Sequence, residues 1–238
     1  IYLISISIFV RTHSYILICI FSFSTYLWGQ SYDTNWKGYF SFLNIKKVVQ
    51  AENKFYAASE NALFSYDNQN NQLNTITTVN GLSGELISTL HYSYEYQLLL
   101  IGYENGLIEV YSESDQEILK VVDIINKVTI PPSQKKINHF NEFNSLVYIA
   151  TDYGISVYNL DGLEFGDTYY IGSNGSQIPV TQTAIFNNEI YASCRSNNGI
   201  KKANLTNSNL TDFQLWSSIT TGDFAAVTVS ASKIYAVN

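Results

Sequence analysis

The chain has 238 residues, enough for one or two ordinary domains, and carries a formal net charge of −7 with a pI near 4.9. That balance excludes a sequence-independent grip on nucleic acid, which needs clustered basic residues. Charged residues make up only 14% against 46% apolar, and the 24 Asn, 19 Tyr and 13 Phe that fill the gap suit turns in the first case and strands in the other two.

The first predicted element is an export signal. Tyr15 to Trp28 is a mostly apolar run of about fourteen residues behind Arg11 and His13, the length of a signal-peptide apolar region and short for a membrane span. Cleavage near Gly29-Gln30 makes 1–29 a signal peptide and 30–238 an exported domain. Residues 1–10 are also apolar, which leaves a longer uncleaved anchor as the alternative reading. The sequence contains no Met and ends inside a repeat, so it is expected to be a fragment of a longer reading frame.

From Lys46 onward a motif recurs. Tyr56, Leu100, Tyr148, Tyr191 and Tyr235 each begin a short run of small or apolar residues, at separations of 44, 48, 43 and 44 residues. A turn residue follows each of the first four (Ala62, Gly106, Gly154, Gly199), then an apolar residue (Leu63, Leu107, Ile155, Ile200). The unit closes at Tyr66, Tyr111, Tyr158 or Ala203. A period in the forties built from strand signals predicts β-propeller blades of about four strands.

The first blade is predicted at 47–51, 54–59, 63–67 and 73–79, and the second at 86–92, 97–102, 107–112 and 118–124. The third follows at 137–143, 146–151, 155–160 and 167–171, the fourth at 181–186, 189–195, 200–205 and 213–219. Strands 227–230 and 233–237 begin a fifth. The fold class is therefore all-β, with four antiparallel blades and part of another, read as a portion of a seven-bladed ring. Long helices are not expected, because no segment keeps helical apolar spacing over a dozen residues.

Asn105-Gly106 and Asn198-Gly199 are dipeptides that two-residue type I′ hairpins prefer. Tyr153-Gly154 is a weaker version, and Asn61-Ala62 lacks the glycine. The repeated tyrosines, flanked by small residues, read as packing between blades rather than as a sugar-binding platform. Longer connections at 80–84, 126–134 and 172–179 are where binding residues are expected, since loops on a rigid scaffold carry function.

No catalytic, cofactor-binding or metal-ligating residue is assigned. The chain has no Cys/His metal spacing, no phosphate loop and no nucleophile elbow. The stretch Asp67–Asn71 resembles a calcium loop but lacks its glycine and distal glutamate, and reads as a polar hairpin. After a cleaved signal, Cys194 is the lone cysteine and reads as a small buried strand residue. Propeller sialidases grip a carboxylate with several arginines, whereas Arg195 stands alone after residue 30 and no aspartate box is present. His91 and His139 fall in first strands of adjacent blades, near the central channel, at roughly one-blade spacing. The pairs Lys46-Lys47, Lys135-Lys136 and Lys201-Lys202 read as solvated strand edges that discourage edge pairing, with an anionic partner as the alternative.

The runs Trp36–Phe42 and Phe55–Asp67 resemble the N-terminal propeller of the PorZ family. So do Gly81-Leu82-Ser83-Gly84-Glu85 and 98–111, with Ile101-Gly102-Tyr103-Glu104-Asn105-Gly106-Leu107-Ile108 the most telling stretch. The family supplies the propeller component of the type IX secretion attachment complex of Bacteroidetes. The resemblance is strongest over 36–111 and continues as a looser blade pattern to 238. It implies a large, exported, non-enzymatic protein with two consecutive propellers and a C-terminal β-sandwich, working at the outer-membrane surface. Implied partners are the sortase PorU and the outer-membrane protein PorV, with anionic lipopolysaccharide presented for attachment to cargo. The alternative, from the shared blade motif, is the periplasmic sensor propeller of a hybrid two-component histidine kinase.

Overall fold

The computed structural model describes residue 40 and residues 42–238. The predicted signal peptide and its predicted cleavage site, and the first part of the Trp36–Phe42 run, lie outside the described residues. Eighteen strands are present among the described residues. The first blade comprises β1 (Lys47–Gln50), β2 (Lys54–Ala58), β3 (Leu63–Asp67) and β4 (Leu73–Ile76), and the second β5 (Ile87–Ser93), β6 (Leu98–Tyr103), β7 (Ile108–Ser112) and β8 (Glu117–Val121). The third comprises β9 (Ile137–Phe143), β10 (Leu146–Thr151), β11 (Gly154–Asn159) and β12 (Glu164–Tyr169), and the fourth β13 (Val180–Phe186), β14 (Glu189–Cys194), β15 (Ile200–Asn204) and β16 (Ser217–Thr220). A two-stranded sheet follows, β17 (Ala226–Ser230) and β18 (Lys233–Val237).

Each four-stranded sheet is an antiparallel meander in chain order. The first strands β1, β5, β9, β13 and β17 neighbour one another in succession, so the sheets fan out from a shared channel. In the four-stranded sheets the second strands are largely buried on both faces, as in Leu99-Leu100-Ile101, while fourth strands are mostly exposed at the periphery. This is the β-propeller arrangement.

The repeated anchors occupy one register position. Tyr56, Leu100, Tyr148, Tyr191 and Tyr235 pair with Val49, His91, Asn141, Ala184 and Thr228 on their first strands. Because side chains alternate across a sheet, the first four point toward the following blade. Tyr56 joins Leu90, Leu99 and Ile101 of the second blade, and Leu100 joins Phe140, Val147 and Ile149 of the third. Tyr148 joins Val180, Ile190 and Ala192, and Tyr191 joins Val227. The core is thus a series of seams between blades, each large side chain so buried contributing about 1.5–3 kcal/mol.

The turns depart from expectation. At Asn105-Gly106 only the glycine has positive φ (90°); its N–H closes a turn to the Tyr103 carbonyl at 3.3 Å while Asn105 Oδ1 accepts the Leu107 N–H at 3.0 Å. At the fourth blade the positive-φ pair is Ser196-Asn197 (57° and 60°), not Asn198-Gly199. The two-residue loops with both φ positive that join first to second strands are Asn144-Ser145 and Asn187-Asn188. Asn tolerates the left-handed region through its short polar side chain.

The outer strand of the third blade begins earlier than predicted, at Glu164, and Phe213–Leu215 is a 3₁₀ turn ahead of β16. The Asp67–Asn71 stretch is a hairpin loop closed by Asp67 N–H to the Gln72 carbonyl, with Asp67 Oδ1 accepting the Gln69 N–H.

Candidate functional site

Three of the first strands, β5, β9 and β13, begin with a register shift. Pairing skips one residue between Ile87 and Thr89, between Ile137 and His139, and between Val180 and Gln182. The skipped residues are Ser88, Asn138 and Thr181, each following a buried aliphatic residue. A bulge of this kind turns its side chain out of the ladder. Here it turns the three side chains into a cleft of ≈ 760 Å³ at one mouth of the channel.

Two of these bulge residues tie blades together. Asn138 Nδ2 donates to the Val180 carbonyl at 2.8 Å, and the Thr181 hydroxyl donates to the Phe224 carbonyl at 3.0 Å. Ser88 makes no equivalent bond, and its buried hydroxyl has no partner. Gln134 Oε1, from the connection into the third blade, is likewise buried and unpartnered on the cleft wall.

The rim is also built by repetition. Four residues after each anchor stand Glu60, Glu104, Asp152 and Arg195. The last three donate their backbone N–H to the carbonyls of Leu86, Lys136 and Pro179 at 2.9, 3.3 and 3.1 Å. Glu104 pairs with Lys136 at 3.3 Å, and Asp152 accepts from Asn138 Nδ2 at 2.7 Å. Arg195 has no acidic partner within 4.0 Å among the described residues, so its planar guanidinium faces the cleft mouth with donors to spare. The lining contains no His, Cys or Tyr. Its chemistry is that of recognition: a cation without an acidic partner, beside the exposed Ser133 hydroxyl and Gln177 amide.

The other candidates fall elsewhere. His91 and His139 are not register equivalents: His91 matches Asn141 through the anchor, and His139 matches Thr89, so the near-blade spacing of their numbers is coincidental. His91 pairs with Glu142 at 2.8 Å across the seam. His139 stays neutral at ordinary pH, its pKa pushed down to about 4 by burial and by the nearby Lys47 and His91. Cys194 is fully buried, and burial pushes its thiol up to about 12. Among the described residues no group of three His, Cys, Asp or Glu side chains is placed to share a metal ion.

The lysine pairs require a correction, because Lys135 and Lys201 are buried rather than solvated. Lys135 Nζ donates to the Ile125 carbonyl and Lys201 Nζ to Ser218 Oγ at 3.1 Å, while Lys202 pairs with Glu189 at 2.7 Å. They form no common basic surface. Of the connections expected to carry function, 126–134 and 172–179 contribute Ser133-Gln134 and Gln177–Pro179 to the cleft. The 80–84 connection is instead clamped to the buried Glu109, whose Oε1 accepts the Ser83 N–H at 2.9 Å and whose Oε2 accepts the Tyr103 hydroxyl. The bulge residues were missed, although a polar residue directly after Ile87, Ile137 and Val180 is a visible signal once first strands are superimposed.

No curated protein matches the sequence. Among solved structures, PorZ, a bacterial surface component of the type IX secretion system of Porphyromonas gingivalis, superposes with a TM-score of 0.69 at 19% identity, covering 81% of this chain and 25% of that one. The extracellular domain of a hybrid two-component system from B. thetaiotaomicron matches with a TM-score of 0.57 at 14% identity, over 77% of this chain and 24% of its own. That of a one-component system from the same organism matches with a TM-score of 0.63 at 15% identity, over 85% and 27%. The chain thus spans about a quarter of the length of these solved relatives. Residues 55–217 match the family described as type IX secretion system (TSS9), PorZ, N-terminal beta-propeller domain, and this chain belongs to that family.

Proposed function

We propose that this domain is a non-enzymatic binding module of the type IX attachment machinery, exported by the signal at 1–29 and displayed at the outer cell surface. The observation that carries the reading is the channel-mouth cleft. Arg195 lacks an acidic partner there, the exposed Ser133 and Gln177 line the same cleft, and no nucleophile–base pair accompanies them. Such a site holds an anionic, hydroxyl-bearing partner without transforming it. Anionic lipopolysaccharide fits that chemistry, and the sortase PorU and the outer-membrane protein PorV are the proteins to which the bound group would be offered.

Deleting the gene should leave cargo exported but inefficiently processed or anchored, with the propeller cleaved by protease added to intact cells. Complementation with Arg195→Glu should restore the protein level but not anchoring. Normal anchoring in the deletion strain, or a protein confined to the periplasm, removes this reading and favours a sensor propeller like those of the two-component relatives.

A further inference from the structure

The seam between the first and second blades differs from the next two. On the second blade the residues beside the anchor Leu100 on the face turned to its neighbour are Val110 and then Leu119; on the third, Val157 lies beside Tyr148. Leu100, Val110, Tyr148 and Val157 all belong to apolar cores. On the first blade the corresponding residues beside Tyr56 are Ser65 and then Asn74. Their small polar side chains leave a groove of ≈ 530 Å³ between the blades, away from the channel-mouth cleft.

The second blade closes the far wall with Tyr111 and the turn that carries Glu113 and Gln116. Glu113 reaches across the groove: Oε1 pairs with Lys54 Nζ, and Oε2 accepts the Tyr56 hydroxyl at 3.0 Å. Burial holds the Tyr56 hydroxyl well above its ordinary pKa, so it remains a donor. The single positive and single negative group of the groove therefore cancel. What remains is a ring of neutral amides and hydroxyls, Ser65, Asn74, Asn80 and Gln116, beside the half-buried Tyr111. The volume lies within the range of about 300–1,000 Å³ usual for small-molecule sites, but the polar lining does not suit an apolar occupant.

We infer that this inter-blade groove is a binding site for a neutral saccharide unit. Amides, hydroxyls and the outer lone pairs of Glu113 supply both donors and acceptors for adjacent sugar hydroxyls. The internally neutralised charge disfavours ions of either sign, and Tyr111 offers the aromatic surface on which a sugar ring rests. The site is separate from the channel-mouth cleft and takes a different class of ligand, so it stands or falls apart from the function proposed above.

The test is saturation-transfer NMR and calorimetry on the purified protein with glucose, galactose, mannose, N-acetylglucosamine and maltose, at concentrations of about 1–10 mM. At least one of these should bind. The double variant Ser65→Val/Asn74→Leu, which installs the residues the second blade carries at these positions, should weaken that binding by about tenfold or more while melting at the same or a higher temperature. Asn74→Leu alone changes an exposed position and provides a variant that folds in any case; it too should weaken binding. Arg195→Ala should leave the neutral sugars bound as before. Failure of every neutral sugar to bind, or binding that survives the filled groove, overturns the inference.

Discussion

His91 Nε2 lies 2.8 Å from Glu142 Oε2, joining the innermost strands of the second and third blades, and the other carboxylate oxygen accepts the Ser93 hydroxyl at 2.8 Å. The Ser93 side chain is fully buried, so this carboxylate is what satisfies it. Removing an acceptor costs more than removing a peripheral donor, because a buried hydroxyl is then left unpaired. Glu142→Ala should therefore destabilise the protein by about 2 kcal/mol, and His91→Ala by about half that. The double variant should fall short of the sum, a coupling that denaturant unfolding of all four proteins will measure.

His139 sets a pH dependence. Its folded pKa of about 4 lies below the ordinary 6.5, with Nδ1 lacking a partner and Lys47 and His91 opposing a further charge. The unfolded chain thus binds this proton first. The stability tied to His139 is complete above about pH 6.5 and declines as pH falls toward 4, by up to about 3 kcal/mol. His139→Gln, which installs the residue found at the equivalent position of the fourth blade, should reduce the loss of melting temperature between about pH 7 and pH 4.5. An unchanged acid profile would place the sensitivity elsewhere.

Gly199 has φ of 70°, and a Cβ built there would stand 1.7 Å from the Thr220 carbonyl oxygen on the outer strand β16. Backbone cannot yield as a flexible side chain can. Gly199→Ala should cost roughly 3 kcal/mol or more and loosen β16, seen as faster amide exchange across Ser217–Thr220. Gly166→Ala is the control: its Cβ would meet nothing closer than 3.4 Å, and φ there is unremarkable, so stability should hold within about 0.5 kcal/mol.

Tyr235 shares its register with Tyr56, Tyr148 and Tyr191, yet it is 51% exposed while they are 2%, 5% and 8% exposed. Val237, two residues on and on the same face, is 58% exposed. An apolar strand face of this kind recruits another surface. Residues 42–238 expressed alone should associate, as read by light scattering after size-exclusion chromatography, and Tyr235→Ser/Val237→Thr should shift them toward monomer. A monodisperse parent chain at high concentration would contradict this.

The amino-acid sequence by itself determined the blades. Strand alternation and buried second strands are local properties, so a period in the forties and runs such as Leu98–Tyr103 place β6 and its counterparts within a residue or two. The anchor tyrosines were legible for the same reason, since one register position repeats as one residue type. Their burial between blades follows from alternation.

Tertiary structure decided what the repeats do at their ends. Which residue a bulge skips depends on hydrogen-bond register between two strands, and that choice alone turns Ser88, Asn138 and Thr181 into the cleft. Whether Lys201 is solvated or buried depends on the neighbouring blade, and so does the groove left by Ser65 and Asn74. His91 and His139 show the difference most directly. Their numbers differ by one repeat, but the hairpin loop between β5 and β6 (94–97) is longer than that between β9 and β10 (144–145), which shifts them to different register positions. Distance along a chain records composition, whereas a site requires side chains from separate blades to converge, and only packing specifies that convergence.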